Sequence, residues 1–267
     1  MFYSFFYLVL ASATPWIANP ALSVILAQAP QVQTIEAVSE KTVPVKIAET
    51  RESLKKWIHS DADVLSQFDL FSKSLQEALD QGFINEKNVD QILDASLFAA
   101  EKHQNQTKNN EKKTPYIIHP IEVADIVMRV GHVYKQDVLV AALLHDVIED
   151  TGASFEDIAK RYGIVASSYV KEMTEKKELS LKERKKAQII GAFHQTPDVA
   201  VIKFSDKLSN LNTLLKNPPS TWSRDKVDQY FLWAQSVIEN LPESNQLLKK
   251  AVKQVITDYW EKQSKSS

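Results

Sequence analysis

In ALLHDVIEDTG, residues 142–152, the pairs His145-Asp146 and Glu149-Asp150 follow an apolar run. On a helix, His145 and Glu149 stand four apart, as do Asp146 and Asp150, so the pairs fall in neighbouring rows of one face. Three carboxylates gathered behind a buried run repel one another unless a cation sits among them, and a divalent metal meets that need. The bland alternative has the acids closing the helix at the surface and His145 hydrogen-bonded in the core; the apolar lead-in and the second acidic pair favour the metal. Two more residues have comparable settings. His119, in TPYIIHP, directly precedes Pro120, which suits a first helical position. Asp206, in AVIKFSDKLSNL, is an acid on a helix whose Val201, Phe204, Leu208 and Leu211 mark a buried face, and such an acid requires a partner. Two His and two Asp make a mixed nitrogen and oxygen set suited to Mn²⁺, Fe²⁺ or Zn²⁺, with positions open for water and substrate.

The elements that must position these groups read as helices. Gly is scarce at 5 in 267 residues, and Leu, Ala, Lys, Glu and Gln recur at helical spacing. No run alternates cleanly at period two, so the expected fold class is all-α, without a sheet. From Met1 to Ile35 there is no charged side chain, and Pro15 and Pro20 break this apolar start into pieces shorter than the ~20 residues of a spanning helix. Residues 1–29 are therefore expected to be an export signal rather than a membrane anchor, placing the protein in a periplasmic or secreted location; a hydrophobic leader that is not a working signal would leave it cytoplasmic. Residues 30 to about 50 read as a linker, and apolar positions from Leu54 to Leu79 predict one or two amphipathic helices closed by Gly82, which together form an extension over 30–87. The main domain, 88–262, is expected to hold helices at about 88–108, 120–131, 137–150, from a capping box at Ser154, and at 164–174, 181–194, 198–215, 223–241 and 243–262.

Composition removes several function classes. Lys+Arg 32 against Asp+Glu 34 leaves no basic field for nucleic acid, so an anionic ligand needs a local pocket. With no Cys there is no thiolate site, and neither a Gly-rich phosphate loop nor a Ser/His/Asp nucleophile set stands out. His103 is expected to be a structural hydrogen-bonding residue; His59, His132 and His194 are expected at the surface. Trp222 and Trp233 read as core or pocket-wall residues. The sequence sets no oligomeric state.

Taken in order and spacing, TPYIIHPIEVADIV, VAALLHDVIEDTG and VAVIKFSDKLSNLNTL resemble the His-Asp domain of the RelA/SpoT alarmone hydrolases. The tail TWSRDKVDQYFLWAQSVIENL is more similar to the stand-alone metazoan SpoT-homologue type than to the bifunctional one, and the likeness covers roughly residues 88–256. This resemblance implies a Mn²⁺ ion on His119, His145, Asp146 and Asp206, with Glu149 and Asp150 serving the chemistry. It implies removal of the 3′-pyrophosphate from (p)ppGpp, a small nucleotide substrate. Asn210 matches a residue that holds the ribose and reacting phosphate, Tyr116 and Tyr230 match residues of the nucleotide pocket, and Lys226 matches a basic residue reaching the phosphates. Where the family often carries an Arg-rich run, this chain has Thr107-Lys108-Asn109, so Lys108 keeps a charge without a guanidinium plane to stack on guanine. The family's Arg two residues after the Asn is Asn212 here. Lys176, Lys177 and Lys182 are candidate compensating charges. Two alternatives follow: the same fold acting on another phosphorylated nucleotide, such as the 2′-phosphate of NADPH, or an inactive alarmone-binding module.

Overall fold

The structure, a computed structural model, describes residues 41–265. The expected export signal, and the part of the expected linker before residue 41, lie outside the described residues. Helix α1 (Val43–Ile58) begins inside that expected linker. Pro44 fits its first turn, where an N–H has no helical partner in any case, and Val43, Leu54 and Ile58 are buried. The stripe is thin and interleaved with Lys and Glu, which hides its period in the sequence. His59 and Ser60, both at positive φ, turn the chain into α2 (Ala62–Asp80), which is capped by the Asp61 carboxylate. A capping box of Asn85 and Asn88 opens α3 (Glu86–Lys102).

Helix α4 (Ile118–Arg129) starts two residues before Pro120, so the proline is third in the helix rather than first. It is tolerated there because the first four N–H groups of a helix lack intrahelical partners. The single helix expected over 137–150 is two: α5 (Gln136–Leu144) and α6 (Val147–Asp150). Buried on every side from Val138 to Leu144, α5 ends where His145 Nδ1 donates to the Ala142 carbonyl at 2.8 Å, taking an acceptor that helix continuation would use. The break falls at His145-Asp146 and re-aims both side chains.

The capping box at Ser154 opens α7 (Phe155–Tyr162) as its sequence predicts, and Gly163, at φ 96°, separates it from α8 (Ile164–Met173). After α9 (Leu181–Gly191) and a 3-10 turn (Ala192–His194) come α10 (Pro197–Lys216), α11 (Arg224–Asn240) and α12 (Gln246–Ser264). Among the described residues there is no strand, only an isolated bridge between Thr107 and Pro115, and no helix long and apolar enough to cross a membrane. Helix α10 is central, packed against α4, α5, α8, α11 and α12 around fully buried Phe204. Helix α4 also packs on α2 and α5, and α3 lies between α1 and α5. Three helices carrying candidate ligands thus converge: α4 with His119, the α5 end with His145, and α10 with Asp206.

The end of α4 is clamped by α12. Asn245, the N-cap of α12, donates from Nδ2 to the Gly131 carbonyl at 2.7 Å, and a Cβ at Gly131 would lie 2.7 Å from the Val127 carbonyl and 2.9 Å from a Leu248 methyl. Backbone on one side leaves little room to yield. Gly131→Ala is expected to destabilise the protein by about 1–3 kcal/mol through overpacking, measured as a lower urea midpoint at unchanged m-value.

Candidate metal centre and active site

His119 and His145 are both 3% exposed, and a hydrogen bond fixes the tautomer of each. Ser209 Oγ donates to Glu122 at 2.8 Å, so it accepts from His119 Nδ1 at 3.0 Å. His145 Nδ1 donates to the Ala142 carbonyl. In each neutral ring Nε2 is then a bare lone pair turned inward. His119 Nε2 lies 3.3 Å from Asp206 Oδ1 and 3.9 Å from Asp146 Oδ2, and His145 Nε2 lies 3.0 Å from Asp146 Oδ2. His145 Nε2 is buried without a hydrogen-bond partner. One ligand atom from each of His119, His145 and Asp206 falls within 4.8 Å of the others. Lone pairs facing lone pairs at these distances suit a divalent cation, and the outer hydrogen bonds orient the ligands toward it.

The carboxylates are held as firmly. Asp206 Oδ2 accepts from Lys207 Nζ at 2.9 Å and Oδ1 from Asn210 Nδ2 at 2.6 Å, while the Tyr116 hydroxyl donates to Asp146 Oδ2 at 2.5 Å. Burial favours the neutral form of Asp206, but Lys207 and His119 outweigh it and hold the carboxyl well below the usual range. Against the same cost of burial, His145 and His119 hold Asp146 low. Burial opposes protonation of His145, yet Asp146 and Asp206 raise it to about 9. A divalent cation held among these groups would take the place of that proton.

Glu149 lies beside the cluster. Its Oε2 accepts from the Glu175 N–H at 3.1 Å and its Oε1 is 3.5 Å from Arg184 Nη1. Burial raises its pKa, the Glu175 N–H opposes this, and the Glu175 charge adds to it. A cavity of about 200 Å³ opens here, and His119, His145, Asp146, Glu149, Asp206, Tyr116, Asn210 and Tyr230 all line it. Three expected residues do not. Asp150 is exposed, its backbone carbonyl accepting from Gln106 Nε2 at 2.7 Å, and burial with the Asp146 charge raises its carboxyl pKa. Lys108 reaches Thr213 Oγ1 at 3.4 Å, and Lys226 is exposed over the Trp222 ring at 4.3 Å.

Of the candidate compensating charges, Lys176 lines a neighbouring chamber and Lys177 acts on Asp150. His103 is buried against Gln106, while His59, His132 and His194 are exposed, as their sequence contexts predict. Trp233 lines the cavity wall. Sequence reasoning missed Lys203, Lys207, Ser209, Glu122 and Glu175. For part of this set a signal existed: Lys203, Asp206, Lys207 and Asn210 recur at i, i+3, i+4 and i+7, one face of α10.

An all-helical fold whose helices meet at two buried His and two Asp, one pair adjacent in sequence, defines a class of metal-binding helical domain. Residues 95–231 match the family described as HD domain, and the chain belongs to that family. It is 42% identical over 157 residues to the guanosine-3′,5′-bis(diphosphate) 3′-pyrophosphohydrolase MESH1 of Xenopus tropicalis, covering 59% of this chain and 88% of that protein. Against MESH1 of Homo sapiens the identity is 39% over 163 residues, covering 61% and 91%. The bifunctional (p)ppGpp synthase/hydrolase SpoT of Escherichia coli K12 is 34% identical over 140 residues, covering 50% of this chain and 19% of that protein. A solved metazoan orthologue of SpoT, described as hydrolysing ppGpp and acting in starvation responses, superposes with a TM-score of 0.61 at 38% identity, covering 63% of this chain and 94% of that one.

The two acidic ligands differ in what they leave behind. Lys207 is 4% exposed and keeps its charge beside Asp206, whereas the partners of Asp146 are a neutral hydroxyl and His145, whose imidazole can shed its proton. Without added metal, Asp206→Ala is expected to cost about 3–5 kcal/mol through the stranded Lys207, and Asp146→Ala clearly less. Both should lose divalent-ion binding by calorimetry; equal destabilisation in urea would contradict this division.

Proposed function

We propose that the chain is a divalent-metal-dependent hydrolase that removes the 3′-pyrophosphate of ppGpp or pppGpp, giving GDP or GTP and pyrophosphate. The observation that carries this reading is the cluster of inward-facing His119 and His145 Nε2 atoms with Asp146 and Asp206, set beside Glu149, in a chain of this similarity to named 3′-pyrophosphohydrolases. His119, His145, Asp146 and Asp206 would hold the ion; the N/O donor set admits Mn²⁺, the ion that the family resemblance favours. When bound, such an ion supplies a Lewis acid and an activated water.

The chain's own groups then do the rest. Water oxygen bonds to the inner phosphorus of the 3′-diphosphate, the bond to the ribose 3′ oxygen breaks, and that oxygen takes up a proton as pyrophosphate leaves. Glu149 accepts the water's proton: its carboxyl is anchored by the Glu175 N–H, and burial shifts it toward the pH at which such transfer works. Asn210 and Tyr116 position the nucleotide while holding Asp206 and Asp146 in place. Tyr230 and Trp233, with ring centroids 5.1 Å apart, wall off bulk water.

One observation favours a second substrate. Lys108, the remnant of the family's base-binding run, bonds to Thr213, does not line the cavity and has no guanidinium plane for the base, which leaves the base weakly specified. Hydrolysis of the 2′-phosphate of NADPH is the alternative this supports. We also propose export of the protein on the strength of its charge-free apolar start; mapping the mature N-terminus by mass spectrometry tests that.

Purified protein with Mn²⁺ is expected to release pyrophosphate from ppGpp, resolved by ion-exchange chromatography, and to act on NADPH more slowly if at all. Glu149→Gln should lower kcat by roughly 10²–10⁴-fold with little change in KM. Absence of pyrophosphate from the wild-type reaction would refute the assignment.

A further inference from the structure

Behind the metal cluster lies a second chamber, of about 320 Å³, between the end of α8 and α9. It shares Met173, Glu175, Gln188 and Lys203 with the catalytic cavity as a common wall. Two cations of this chamber have bonding capacity unused. Lys203 is 5% exposed and makes no hydrogen bond or ion pair among the described residues. Arg184 gives Nη1 to Glu175 at 3.1 Å, but its Nε is buried without a partner. The acids nearby are already engaged: Glu175 by Arg184 and Gln188, Asp206 by Lys207, and Glu172, also in the chamber lining, by the Thr196 N–H and hydroxyl. Burial, with repulsion from Lys207, lowers the Lys203 pKa to about 8, although the charges of Asp206, Glu175 and Asp146 pull the other way. A buried cation is costly unless an anion meets it.

Size points the same way. The catalytic cavity, at about 200 Å³, falls short of the ~300–1,000 Å³ typical of small-molecule sites, so a nucleotide must extend beyond it. Tyr116 and Asn210, the residues assigned to the nucleoside, line the cavity but not the chamber. The chamber is left for the opposite end of the reacting group.

We propose that this chamber is the subsite for the outer phosphate of the 3′-diphosphate and for the departing pyrophosphate, with Lys203 and Arg184 as its counter-ions; this rests on the hydrolase reading above. Lys203 then spans both compartments, meeting the diphosphate before cleavage and the pyrophosphate after it. The chamber makes the protein discriminate a diphosphate from a monophosphate at the same ribose position.

Two variants test it. Gly191 lines the chamber at φ −68°, and a Cβ there meets nothing within 4 Å, so Gly191→Met adds a bulky side chain at the chamber wall without straining the helix. Lys203→Met removes the charge and keeps most of the stem. At fixed free Mn²⁺, inhibition by inorganic pyrophosphate is expected to weaken in both by roughly tenfold or more, about the worth of one charge-assisted hydrogen bond, while inhibition by orthophosphate is unchanged. The kcat/KM preference for a guanosine 3′-diphosphate over the 3′-monophosphate should fall in parallel. Wild-type pyrophosphate inhibition in a Gly191→Met protein of unchanged circular dichroism would overturn the proposal, whether or not Lys203→Met folds. If the wild type released no pyrophosphate from ppGpp, the hydrolase reading would fail instead; calorimetric binding of inorganic pyrophosphate to wild type and Gly191→Met still decides the chamber.

Discussion

Bare lone pairs pointed at one another are repulsive, and this molecule assembles several of them in its interior. His119 Nε2 faces Asp206 Oδ1 at 3.3 Å, and His145 Nε2 faces Asp146 Oδ2 at 3.0 Å, with both imidazoles almost wholly buried. Such a cluster is stable only with positive charge at its centre, a proton or a divalent ion. Much of the surrounding architecture serves that constraint. Ser209 with Glu122, and the Ala142 carbonyl, occupy the outer nitrogens so that the inner ones stay free to ligate. Lys207 takes the outer oxygen of Asp206, while Asn210 and Tyr116 donate to the same Asp206 and Asp146 oxygens that face the imidazoles.

Helix α10 does more than deliver one ligand. Its face carries Lys203, Asp206, Lys207 and Asn210, so the charge that stabilises the acidic ligand, the amide that orients it and the cation of the adjoining chamber all ride on one rigid element. Being packed on α4, α5, α8, α11 and α12, it transmits no slack between these groups. The break after Leu144 serves the same end. A continuous helix would keep Ala142 O bonded along the backbone; freeing it for His145 Nδ1 selects the imidazole tautomer needed at the cluster.

The helices themselves were largely legible because capping chemistry and apolar period act locally: Ser154 with Asp157 opens α7 as written, and Pro242 separates α11 from α12. Elements whose signal is diluted were not. Helix α1 buries few residues among many charged ones, and the division at His145 depends on a side-chain bond that hydrophobic periodicity does not register. At the site, the ligand types were visible because an acid or His within a buried run demands a partner. Glu122 and Ser209 were invisible, since nothing in their neighbourhood marks them as outer partners of a residue on another helix.

By itself, the sequence determined an all-α chain with two His and two Asp in buried settings, and a motif order similar to alarmone hydrolases, because burial pattern and residue chemistry are properties of short segments. Tertiary structure decided which residues share one space. It brought His119, His145, Asp146, Glu149 and Asp206 into a single cavity, and kept Asp150, Lys108 and Lys226 out of its lining. It also placed Lys203 between two compartments, with no hydrogen bond or ion pair among the described residues. These outcomes depend on how α4, α5, α9 and α10 cross, which is set by packing summed over the whole core and is encoded in no single stretch of the chain.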